Sequence, residues 1–353
     1  MKALVSTLLA VLVINCTYAK IWRVNNNAGI AADFTTLAAA QEGASAGDTL
    51  HIEPSATNYG SITLTKRLVI IGTGYYLNEN PNTQAIKQSS LVNSITLYSG
   101  ASGSVIMGLD FTSNDCNVYA NDVVIRRNKF ATATNNSSDY YTGAVNLYYN
   151  YQGDNTPARN VIISQNYGCR VSVNYPSTGV LISNNYISYY SYAGDATTGD
   201  VLRVHTDAIV IIQNNIIRRG KVSVYNSNIT NNIMVNGTFE GTGNLVSHNL
   251  ANATQFGTTD GNKANIDMGT VFLGTGTGVS SDGQWKLAAG SPAIGAGYGS
   301  TPQKPVDTGI YSGQTPYVLS GMPPVPAIYF FENKPIGSNT DPISVTIKVK
   351  SNN

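Results

Sequence analysis

Val210-Ile211-Ile212-Gln213-Asn214-Asn215 sets the pattern of the chain: three apolar residues, two variable ones, then an asparagine. Val123-Val124-Ile125 leads to Asn128, Val161-Ile162-Ile163 to Asn166, and Val180-Leu181-Ile182 to Asn185 in the same way. Asn244-Leu245-Val246 leads to Asn249, and the weaker Ser227-Asn228-Ile229 to Asn232. The six asparagines stand 38, 19, 30, 17 and 17 residues apart. The first gap is twice the second, and the gap of 30 fits one coil carrying an inserted loop. A fixed period of this size marks a repeat architecture.

The repeat unit is a strand, not a helix. Its segments are short, β-branched and bounded by Asn, Gly and Ser, with no 3.6-residue periodicity. One such coil cannot bury its own inner face. Parallel coils stacked about 4.8 Å apart bury a continuous apolar column. Asparagine suits the corner between strands because it tolerates the left-handed backbone. In register its amide also bonds the asparagines above and below, so Asn128, Asn166, Asn185, Asn215, Asn232 and Asn249 are expected to form a ladder. Of 39 asparagines, 24 lie between Asn114 and Asn252, where the repeat is cleanest.

With these motifs the sequence resembles a right-handed parallel β-helix of the pectate-lyase-like superfamily, of the bacterial secreted kind. Phe34-Thr35-Thr36-Leu37-Ala38-Ala39-Ala40 followed by Ala46-Gly47-Asp48-Thr49-Leu50-His51-Ile52 is similar to the family's entry segment. The resemblance implies a short helix capping the N-terminal end, which protects an open edge. Trp285-Lys286-Leu287 and Gly290-Ser291-Pro292-Ala293-Ile294-Gly295-Ala296-Gly297 resemble a closing motif of such proteins. The expected fold class is therefore all-β, a solenoid. It does not fix a function, because lyases, hydrolases, adhesins and structural proteins share it.

The ends read differently. Lys2, the apolar run Ala3 to Ile14, and Thr17-Tyr18-Ala19 form an export signal over residues 1–19, with the mature chain beginning at Lys20. Lipidation of Cys16 is the competing reading, although Asn15 is a poor residue before a lipidated cysteine. Residues 20–47 are the first strand and cap helix, and residues 48–297 the β-helix. Residues 298–353 are a Pro-rich linker and a C-terminal β-hairpin. Nine of 13 prolines follow residue 290, and proline is excluded from central strands. Ala327 to Phe331 and Ile343 to Val349 are the hairpin strands. No later segment is apolar and long enough for a membrane helix.

Composition bounds the function. Charged residues are 12% and the net charge is +1, which excludes a basic nucleic-acid binder and an acidic disordered tail. Without Cys16, Cys116 and Cys169 remain, and a bridge between them is as compatible with the sequence as two buried thiols. No zinc spacing occurs, so no metal and no cofactor are expected; calcium enters only if the protein is a lyase.

The resemblance implies looking for carboxylate clusters and paired Asp residues, the parts of the family's polysaccharide lyases and hydrolases. No Asp-x-Asp occurs, and the single Asn339-Thr340-Asp341 lies beyond the coils. Alternation along Asp200-Val201-Leu202-Arg203-Val204-His205-Thr206-Asp207 places Arg203, His205 and Asp207 outward, as candidate catalytic residues or as an ordinary solvated face. Tyr148, Tyr149, Tyr189 and Tyr190, beside the long gaps, are candidate sugar-stacking or partner-binding residues. Arg126-Arg127 with Lys129 and Arg218-Arg219 with Lys221 read as solvated turns. The sequence thus favours an exported, non-catalytic protein, secreted or on the cell surface, that binds polysaccharide or a surface protein or builds structure. The alternative is a lyase or hydrolase of an acidic polysaccharide.

Overall fold

The computed structural model describes residues 19–112, 115–130, 143–150, 152–188, 199–333, 340 and 343–352. The export signal falls almost wholly outside them, as do Tyr189 and Tyr190. The chain is a parallel β-helix. Its first wall is a ten-stranded sheet running in chain order from Ile21–Val24 to Leu245–Ser247, every pairing parallel. The second wall includes Lys129–Phe130, Tyr186–Ser188, Ile216–Arg218, Ile233–Val235 and Leu250–Ala251. The third includes Ile62–Leu64, Ile95–Leu97, Cys116–Val118, Ala144–Leu147, Asp200–Val204, Lys221–Ser223 and Thr238–Glu240. The seven-residue strand Tyr167–Val173 turns from the second wall into the third.

Strand alternation sends every second side chain inward. Leu50, Ile70, Ile106, Ile125, Ile163, Ile182, Ile212 and Ile229 occupy one register position of the first wall and are all buried. Behind the second wall Phe111 stacks on Phe130, centroids 4.6 Å apart. Cys116 and Cys169 belong to this column as free, buried thiols. Helix α1 (Leu37–Gly43) closes the N-terminal end, with Thr36 Oγ1 accepting from the Ala39 amide at its start and Leu37 and Ala40 buried beneath it.

At the corner between the first and second walls each asparagine side chain spans two coils. The Asn215 amide nitrogen donates to Asn232 Oδ1 and to the Ile182 carbonyl, while Asn215 Oδ1 accepts from the Asn185 backbone and side chain. The chain of bonds runs Asn128, Asn166, Asn185, Asn215, Asn232, Asn249 and ends on Asn262, a seventh member. One expectation is corrected. The ladder asparagines are not the left-handed residues. That conformation belongs to the residue before each: Arg127, Gln165, Asn184, Asn214, Asn231 and His248. A left-handed residue turns its neighbour's side chain into the corner and its own side chain out.

Those outward side chains hold the C-terminal segment. Where an extended linker was expected, residues 298–326 lie as a strap along the column, running opposite to the order of the coils. Asn231 Oδ1 accepts from the Tyr298 amide, and Asn184 Nδ2 donates to the Ile310 and Ser312 carbonyls. Further along, Gln165 Nε2 donates to Thr315 and Pro316, and Arg127 Nη1 to the Met322 carbonyl. Arg127, expected in a solvated turn, is buried. Gly321 fits because a Cβ there would collide with Tyr75 and with the Arg127 carbonyl. The last coil strand is Leu250–Ala251, so the regular coils end well before residue 297. Ala327–Asn333 and Val345–Lys350 pair as an antiparallel hairpin.

The three walls face different surroundings. The second wall's outward Tyr167, Tyr186, Ile216, Ile233 and Leu250 are buried under the strap and the loops before it, with Trp285 stacked on Tyr186 at 4.6 Å. The first wall's outward row is Ile21, Thr49, Val69, Val105, Val124, Ile162, Leu181, Ile211, Asn228 and Leu245, aliphatic at eight of ten positions and exposed or half-buried throughout. The third wall's outward face is polar, with Thr63, Arg203 and Glu240 exposed.

Candidate functional site

Three outward rows cross the third wall. The middle one is Thr63, Thr96, Asn117, Asn146, Ser172, Arg203, Ser223 and Glu240, each hydrogen-bonded register partner to the next. One row, two residues further along each strand, begins with Tyr98, Tyr119 and Tyr148 and continues through Asn174 to His205. The third row includes Asp115, Asp200 and Lys221. Parallel coils place equivalent residues about 4.8 Å apart, so hydroxyl, amide and phenol groups recur at that interval along the column.

Tyr148 and His205, drawn from separate candidate groups, therefore stand in one row, with Asn174 between them. The tyrosines are arranged otherwise than the sequence suggests. Tyr119 and Tyr148 stack on each other, centroids 4.7 Å apart and 12° between planes, and Tyr98 meets Tyr119 edge-on at 5.6 Å. Their faces are largely spent on one another, so the row offers ring edges and hydroxyls. Tyr149 is 45% exposed and lies against Tyr175 at 3.7 Å. Tyr186 is buried beneath Trp285 in the second wall. The sequence search missed Tyr98 and Tyr119 because it sought doublets; the readable signal was a tyrosine directly after each of Leu97, Val118 and Leu147.

A cleft of about 470 Å³ opens at the far end of the rows, lined by Asn174, Asp200, Arg203, His205, Lys221, Ser223, Tyr225 and Glu240 among others. Arg203 Nη2 donates to Asn174 Oδ1 at 2.6 Å. Lys221 Nζ lies 3.0 Å from Glu240 and 3.4 Å from Asp200. The Ser223 hydroxyl and Lys221 hold the Glu240 carboxyl below its ordinary range, and Glu240 raises Lys221 in turn. Both carboxylates are thus engaged by one cation. Asp207 does not line the cleft. Its amide donates to His205 Nδ1 at 3.2 Å, and its carboxylate is 3.9 Å from that nitrogen. Among the described residues no carboxylate accepts a hydrogen bond from the His205 ring, as a base's orienting partner would.

Among the described residues no group of three or more His, Cys, Asp or Glu is placed to hold a metal ion, and no helix is long and apolar enough to cross a membrane. No family model and no curated protein matches the chain. Among solved structures, the crystal structure of pectate lyase Pel9A is similar over 83% of this chain and 96% of that one, at 13% identity and a TM-score of 0.41.

Proposed function

We propose that this is an exported, non-catalytic β-helix protein that binds a linear glycan along the open face of its third wall, outside the cell or at its surface. The observation that carries this is the shared register of Tyr98, Tyr119 and Tyr148 with Asn117, Asn146, Arg203 and His205. Sugars of a linear glycan repeat on a similar scale to the coils, so one set of contacts is reused along the axis. Phenol and amide groups donate and accept, which suits hydroxyl-rich rings. No cofactor is needed for binding.

The second reading is a polysaccharide lyase or hydrolase acting in the cleft, favoured by Arg203, His205 and Lys221 meeting there. Calcium would be required only on that reading. Calorimetry and a turnover assay on a panel of neutral and acidic polysaccharides, with and without calcium, separate the two. Binding without turnover, weakened at least about tenfold by Tyr119→Ala with Tyr148→Ala, is the expected result. Turnover abolished by Arg203→Ala or His205→Ala replaces it with the enzyme reading.

A further inference from the structure

We infer that the first wall is a dimer interface: two copies of this chain pack wall to wall, columns side by side and parallel, about a two-fold axis running along them. The second wall shows what this protein does with an outward aliphatic row, because there the strap buries it. The first wall's row is equally apolar and carries no such cover among the described residues. Ile21 is 66% exposed, Ile162 36%, Ile211 45% and Leu245 72%. Exposed aliphatic rows of this length are not ordinary surface on a monomer.

Area and charge both select a second copy. Ten strands at about 4.8 Å, five residues wide at about 3.3 Å with their flanking turns, make a face of roughly 800 Å², the share each partner gives to a standard stable interface. A two-fold axis along the columns lays the row on its own counterpart at the same coil height. It also reverses the strand direction, so what flanks the row on one side meets what flanks it on the other. Asp122 and Arg126 flank Val124 on opposite sides. Each Arg126 is thereby set against the partner's exposed Asp122, twice per dimer. Arg126 Nε is shielded from solvent and has no hydrogen-bond acceptor among the described residues.

Sedimentation velocity on the full chain tests this, with thermal unfolding of each variant as the check on folding. Wild type is expected to sediment as a dimer, and Ile162→Lys with Ile211→Lys as a monomer of unchanged melting midpoint. Arg126→Asp and Asp122→Arg singly should each weaken association by about tenfold or more, and the double exchange should restore it. A wild-type monomer at all concentrations up to about 1 mM overturns the proposal. So does a dimer that survives both lysines, or one that dissociates on Phe331→Lys in the exposed C-terminal hairpin instead.

Discussion

The outer faces of the second and third walls are built on the same coils and differ in what lies over them. Over the second wall, Tyr167, Tyr186, Ile216 and Ile233 are closed in by the strap and Trp285. Over the third, the equivalent positions are Thr, Asn, Ser and Arg, and Thr63, Arg203 and Glu240 of that row are exposed. Column stability thus depends on the covered face, and on the proposed reading the polar face is the one released for recognition. Side chains outside the column are spared its packing constraints, so the two faces should respond oppositely to mutation.

The strongest break in that comparison lies at Asp282, buried between strap and second wall. Its carboxylate accepts from Asn80 Nδ2 at 3.0 Å, the Tyr317 hydroxyl at 3.2 Å and the Ser320 amide at 2.6 Å. Asp282→Leu leaves the Ser320 amide unpaired, takes one bond each from Asn80 and Tyr317, and is expected to cost about 3 kcal/mol, read from urea unfolding. If the loss is negligible, the strap is not part of the stable structure. Asn232→Leu, at the corner the strap crosses, should cost about 3 kcal/mol, since Asn215 and Ile212 lose partners. Asn228→Leu, exposed on the first wall, should cost less than about 0.5 kcal/mol by the same measurement.

Behind both walls the interior is alike, and its thiols report on it. Burial pushes the Cys169 thiol up to about 12, and Cys116 upward as well. A thiol whose folded pKa lies above its unfolded value of about 8.5 stabilises the fold fully below that pH. The contribution is lost as pH rises toward the folded value. At pH 10, Cys169 alone should remove about 2 kcal/mol relative to pH 7, and Cys169→Ala should flatten that part of the profile. Smallest of all, Thr96→Ala on the open face should change stability by less than about 0.5 kcal/mol while measurably weakening glycan binding.

Much of the fold was legible in the sequence because the inward row of isoleucines and the ladder asparagines recur in one fixed phrase. What misled was the pairing of asparagines at 184–185, 214–215 and 231–232, which hides the division of labour between the two positions. Arg127, Gln165 and His248 take the left-handed place where no pair exists, and they reveal that the first residue turns the chain and the second bonds across coils. The strap was not legible, because its partners are mostly its own backbone carbonyls, which leave no mark in residue type. Asn262 was hidden for a related reason: Gly261 and a short gap of 13 residues replace the apolar phrase before it. For the candidate site, Arg203 and His205 followed from alternation, whereas the tyrosine row needed the register of coils separated by inserted loops.

The strap changes what kind of folding problem this chain poses. A solenoid ordinarily behaves as a line of neighbours, able to fray from either end and to fold from anywhere. Here the segment that leaves the last coil returns past the corners of coils far upstream, bonding Asn231 first and Arg127 and Tyr75 later. The line becomes a loop, drawn shut by its own tail. Late stitches join the Tyr75 amide to the Ser320 carbonyl and the Ala85 amide to the Ile328 carbonyl, residues far apart in the chain. During synthesis the coils must therefore wait, stacked but unfastened, until the last fifth of the polypeptide has emerged.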